Sequence, residues 1–156
     1  MPSQESRSGT LPSMQAEIGD CVRFAKTVSE SDVYQFAGIT GDLAGNHVNE
    51  EYMRKSIYKH RIAHGALLVG YMSTTSTMML ERSLAKGIDS TPVSLGYDRI
   101  RFLGPVFFGD TVEITYTISE IDEARRRTRA KIEVRNQRSE IVAVAEHLMK
   151  WVKRDA

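Results

Sequence analysis

The chain has 156 residues, 41% of them hydrophobic and 26% charged, with a formal net charge of +1. That length and composition suit one globular domain with a real core, and the near-neutral charge gives no bulk electrostatic reason to expect a nucleic-acid or membrane partner. A single cysteine, Cys21, excludes an internal disulfide and favours a reducing, cytoplasmic setting.

The first stretch, MPSQESRSGTLPSMQ, has no apolar core behind basic residues and does not read as a secretory signal. Residues 1–16 are expected to form a flexible arm, and 17–156 a single domain. CVRFAKTVS (21–29) reads as a short strand in which Cys21 is a small core hydrophobe rather than a reactive thiol. Ser29 or Ser31 then caps a helix over SDVYQFAGITG, which Gly41 ends in the left-handed conformation. A second short helix is predicted from about Asn49 to Ser56, with Asn49 as its cap and Glu50 and Glu51 at its favourable end.

The uncharged run Ala66–Leu80 is too short to span a bilayer comfortably. Small or apolar residues occupy nearly every face of it, so it predicts a helix of roughly 22 Å enclosed by protein. After Pro92 the period changes to two. VSLGYDRIRFLG reads as a strand, and TVEITYTISEI puts Val112, Ile114, Tyr116 and Ile118 on one face. RTRAKIEVRN puts Ala130, Ile132 and Val134 on one face, NQRSE (136–140) is a hairpin turn, and EIVAVAEHLMKWV is a last, more buried strand. The sum is an α+β protein: a curved antiparallel sheet wrapped around a long central helix. Its strand edges predict a homodimer with the sheet continued across two chains, higher assembly being open.

Within GDLAGNHVNEEY, Asp42 and His47 are a carboxylate and an imidazole in a glycine-containing loop. They suit proton transfer to and from water if the loop turns back on itself; spacing alone leaves open that they are ordinary surface residues. His47, His60 and His64 lack the dense spacing of a metal site, so no metal is expected. Gly65, after His64, starts the long helix, where unpaired N–H groups and the helix dipole can hold a developing oxyanion. Ser73, two turns further on, either supports such a site or bonds back to its own helix. There is no G-x-S-x-G elbow, P-loop or G-x-G-x-x-G.

Three segments together resemble the MaoC-type dehydratase family, which includes the (R)-specific enoyl-CoA hydratases and is built on the hotdog fold. FAGITGD...H (36–47) is similar to the family's helix followed by G-D-x-N-P-x-H. RIAHGALLVGYMS (61–73) is similar to its I-x-H-G segment, and RIRFLGPVFFGDTVEI (99–114) to its F-x-x-P-V-x-x-G-D-T stretch. The resemblance implies that Asp42 and His47 are the catalytic pair, that Gly65 binds the thioester oxygen and that Ser73 supports the site. His64 then reads as structural. The implied reaction is reversible hydration of a trans-2-enoyl-CoA to an (R)-3-hydroxyacyl-CoA. It needs no metal or redox cofactor, because coenzyme A is part of the acyl-CoA substrate.

The chain departs from the motif at Ala44 and Gly45, where the family has asparagine and proline, and a more mobile loop is expected there. Two other outcomes stand beside the hydratase: a hotdog acyl-CoA thioesterase and a non-catalytic acyl-CoA binding module. Tyr71, Met72 and Phe102 are expected near the pocket. Lys59, Arg61, Arg99 and Arg101 are basic side chains that either meet phosphate or lie on an ordinary surface.

Overall fold

The structure is a computed structural model that describes residues 14–88 and 90–153. The elements run β1 (Cys21–Thr27), α1 (Glu30–Thr40), α2 (Gly45–Val48), α3 (Glu50–Arg54), α4 (Gly65–Leu84), β2 (Ser90–Phe102), β3 (Thr111–Asp122), β4 (Arg127–Asn136) and β5 (Ile141–Lys153). The strands form one antiparallel sheet in the order β1-β3-β4-β5-β2. The first strand after the helix therefore lies at the far edge, beside the last strand. Register shifts within β2 and β3 mark bulges, which bend these strands.

The period-two reading of β3 and β4 carries over to the packing. Val112, Ile114, Tyr116 and Ile118, with Ala130, Ile132 and Val134, are buried in one core with Leu68, Met72 and Met79 of α4. The helix is longer than the uncharged run suggested: 20 residues, Gly65–Leu84, or roughly 30 Å. It is also not enclosed all round. Leu68, Met72, Thr75, Ser76, Met79 and Ser83 are buried, while Ala66, Gly70, Ser73, Thr74 and Thr77 face solvent in the single chain. One sheet covers one side of the helix, and the described residues supply no second layer.

Residues 1–13 of the expected arm lie outside the described residues. Met14 is buried in a second cluster with Ile88, Met149 and Trp151. Cys21 is half-buried at the start of β1 rather than part of the core. Lys26 of β1 pairs with Asp32 of α1 at 3.0 Å. No helix among the described residues is long and apolar enough to cross a membrane.

Among the described residues the fully buried titratable rings are Tyr116, His64 and His147. His147 is fully buried, its Nδ1 lying 2.9 Å from the Tyr116 hydroxyl and its Nε2 2.8 Å from Ser94 Oγ. Burial lowers its pKa from 6.5 to about 4. The unfolded chain thus takes up a proton that the folded chain refuses, so the stability owed to the neutral ring is intact above pH 6.5 and is lost as pH falls toward 4. The shift corresponds to at most about 3 kcal/mol. Urea titrations at roughly pH 7, 5.5 and 4.5 are expected to show that decline in the wild type and a flatter one in His147→Gln. An equally steep decline in the variant would contradict this account of the ring.

Candidate active site

The loop that carries Asp42 is set by the end of α1. Ser29 and Asp32 form a capping box at the start of that helix, with Asp32 N–H donating to Ser29 Oγ at 3.1 Å and Ser29 N–H to Asp32 Oδ2 at 2.9 Å. Gly41 ends it at φ 80°, its N–H donating to Ala37 O at 2.8 Å. The chain then turns sharply. Asp42 Oδ1 accepts the Ala44 N–H at 3.3 Å, and α2 begins at once and carries His47 inward. This four-residue helix has no pattern of its own and was not among the expected elements. Asn49 caps α3 as expected, accepting from Tyr52 N–H at 2.9 Å.

Residues 60–64 strap this loop to the head of α4. Glu50 accepts from His60 Nδ1 at 2.8 Å and from Arg61 through its backbone N–H and Nε, both at 3.1 Å. Those bonds, His60 first, hold its pKa at about 2. Arg61 also meets Glu30 and lies over the Phe108 ring, so it is committed to the fold rather than free for phosphate. Ile62 N–H donates to Asn46 O at 3.0 Å, and Ala63 N–H to Val106 O at 2.8 Å. The third motif supplies the other anchor: buried Asp110 accepts the Phe107 N–H at 2.9 Å and fixes the turn before β3.

The strap decides the state of His47. Its Nδ1 lies 2.7 Å from Ile62 O, and a carbonyl only accepts, so Nδ1 carries the proton and Nε2 keeps a free lone pair. The ring is 8% exposed and lines a cavity of about 370 Å³ with Asn46, Tyr58, Leu68 and Phe102. Gly65 borders the same cavity. The α4 start has no side-chain cap, so nothing from a side chain satisfies its first N–H groups. The Asp42 side chain is 52% exposed, with Oδ2 3.9 Å from His64 Nε2. Asp42, His47 and His64 each offer a donor atom within 4.8 Å of the others. The two imidazoles stack at 3.7 Å, 25° from parallel. The arrangement suits proton handling.

Asp42, His47 and Gly65 are therefore brought together. Ser73 is not: it is exposed on α4, two turns or about 12 Å along the axis from Gly65. Of the expected pocket residues Phe102 is present, while Met72 is buried in the core and Tyr71 packs on Phe24. Arg99 pairs with Glu146. Asn46 and Tyr58 were not foreseen, because only the long-range fold sets the loop facing the sheet edge. Gly65 also has a second reason to be glycine. A Cβ there would sit 2.5 Å from the Phe102 ring, so the space a side chain would fill belongs to that ring.

A family model described as MaoC like domain matches residues 13–142. The chain belongs to the MaoC-like dehydratase family. It is 38% identical over 101 residues to an (R)-specific enoyl-CoA hydratase of Rhodospirillum rubrum, covering 65% of each chain. It is 34% identical over 113 residues to a 3-hydroxybutyryl-CoA dehydratase of Methylorubrum extorquens, covering 72% of this chain and 67% of that one. The matched region thus spans about two thirds of these relatives. Among solved structures, an unliganded R-hydratase from Pseudomonas aeruginosa matches with TM-score 0.69 and 25% identity, over 92% of this chain and 87% of that one. An (R)-hydratase from A. caviae involved in PHA biosynthesis matches with TM-score 0.74 and 24% identity, over 86% and 96%. The MaoC-like chain has the hotdog fold.

The Gly65–Phe102 contact makes a measurable claim. Gly65→Ala is expected to cost more in the wild-type background than in Phe102→Ala, with a coupling of about 1 kcal/mol or more in a urea-unfolding double-mutant cycle. Additivity within about 0.3 kcal/mol would show that the ring does not fill that space.

Proposed function

We propose that this chain catalyses reversible addition of water to a trans-2-enoyl-CoA, giving an (R)-3-hydroxyacyl-CoA. The observation that carries the reading is the His47 ring, held as the Nδ1–H tautomer by Ile62 O, in the cavity that Gly65 borders at the head of α4. Membership of the MaoC-like family, with hydratases and dehydratases among its relatives, supports it.

In this reading the thioester oxygen accepts from the Gly65 N–H, and the positive end of the α4 dipole polarises the C2=C3 bond. His47 Nε2 and the Asp42 carboxylate hold one water. As the water oxygen bonds to C3, one of its protons passes to the pair. The electrons of the double bond move toward the thioester, and the pair returns a proton to C2 of the enolate, so that it ends as it began. The net change is one H and one OH added across C2=C3. Proton transfer suffices, so no cofactor takes part, and coenzyme A enters with the substrate. The half-exposed Asp42 suits a water supplied from solvent.

A homodimer is part of the same proposal. β2 is an edge strand of 13 residues, with Val93 40% and Leu95 48% exposed. A strand of that length, paired with β5 on one edge and with no strand on the other among the described residues, suits pairing with a second copy, which would also cover the bare face of α4. Sedimentation at twice the chain mass is the expected result, and a monomer at micromolar concentration would contradict it. The cytoplasmic setting inferred from the lone thiol of Cys21 belongs to this reading too.

Crotonyl-CoA and longer enoyl-CoAs are expected to lose their conjugated absorbance with this protein, without release of free thiol. Asp42→Asn and His47→Gln are each expected to lower kcat by about 10²–10⁴-fold. Full activity in both variants would remove the pair from the mechanism. Thiol release would point to a thioesterase, and binding without either change to a carrier of acyl-CoA.

A further inference from the structure

We infer that His64 is a positioning residue that clamps the Asp42–His47 pair to the head of α4; the inference rests on the reading of that pair given above. The clamp works on three sides of one ring. Its Nε2 lies 2.9 Å from the backbone oxygen of Asp42; that oxygen only accepts, so Nε2 carries the proton and donates. One face stacks on His47 at 3.7 Å. Phe36 of α1 packs on the ring at 4.8 Å. The residue is 1% exposed, and its backbone is the N-cap of α4, directly before Gly65. One side chain thus sets the relative placement of a loop backbone, an imidazole and a helix start that come from different segments.

The clamp stands where the loop lacks its own. Ala44 provides no side-chain hydrogen bond at the start of α2, and the loop's internal side-chain bond to Ala44 is the 3.3 Å contact from Asp42 itself. A carboxylate and an imidazole that share one water have to be held to a fraction of an ångström. His64 Nδ1 supplies a further argument: it is buried with no partner among the described residues. Packing alone would favour phenylalanine, which buries no nitrogen. What the histidine adds is the Nε2–H bond to Asp42.

Two variants separate that bond from the packing. His64→Phe keeps a ring against His47 and loses the donor, whereas His64→Gln keeps an N–H at the reach of Nε2 and loses the ring. In crotonyl-CoA hydration, kcat is expected to fall by roughly 10–100-fold in His64→Phe with KM within about threefold, and to recover most of that loss in His64→Gln. Wild-type kcat in His64→Phe, equal losses in both, or losses that follow their melting temperatures overturn the inference. A second measurement does not depend on turnover. Long-range proton–nitrogen NMR of the ¹⁵N-histidine-labelled chain, with its four histidines assigned by substitution, is expected to show His64 as the Nε2–H tautomer and His47 as the Nδ1–H tautomer. A His64 ring protonated at Nδ1 alone overturns the clamp. The expected tautomers in a wild type that turns over no enoyl-CoA would sink the proposed reaction and leave the clamp standing.

Discussion

The bond from His47 Nδ1–H to Ile62 O is the contact on which the site depends. It leaves Nε2 as the free nitrogen, and it joins the loop after α1 to the strap that enters α4. The strap is held at both ends, by Glu50 on Arg61 and by Val106 on Ala63. A local stretch of backbone is thereby fixed between two distant parts of the chain. If Ile62 moved, the tautomer of His47, the position of Asn46 and the approach to Gly65 would change together.

The hotdog core makes that fixity possible. The buried face of β3 and β4 grips Leu68, Met72 and Met79, so the helix cannot slide along the sheet. Its N-terminus comes to rest where β2 ends. There Phe102 takes the space next to Gly65, so the glycine does two jobs: it leaves its own N–H open and it admits the ring that walls the cavity. The polar atoms of the site are left at the boundary between core and solvent, where one water can be held while others come and go.

Much of this was legible in the residues. Strict alternation marked β3 and β4, because one face of a covered sheet must be apolar. Ser29 and Gly41 marked the ends of α1, because caps follow from local backbone geometry. The pairing of Asp42 with His47 became legible through the motif and not through spacing. Other features were hidden for physical reasons. The α2 helix is one turn with no period to read. The partner of β2 is β5, and nothing local distinguishes that from pairing with β3. The exposed face of α4 over its first four turns includes Ala66, Gly70, Ser73, Thr74 and Thr77, residues small enough to suit either a buried or a bare surface. The role inferred for His64 rests on contacts 17, 22 and 28 positions away in sequence, with His47, Asp42 and Phe36. The Ala44–Gly45 departure, where a more mobile loop was expected, is spanned by backbone bonds and by the bond from Ala44 N–H to Asp42.

The most direct test of the central claim is a crystal structure of Asp42→Asn with crotonyl-CoA bound. The account predicts the thioester oxygen about 3 Å from the Gly65 nitrogen, with C3 beside His47 Nε2. An acyl group seated away from this cavity, with its carbonyl turned from the head of α4, would contradict it.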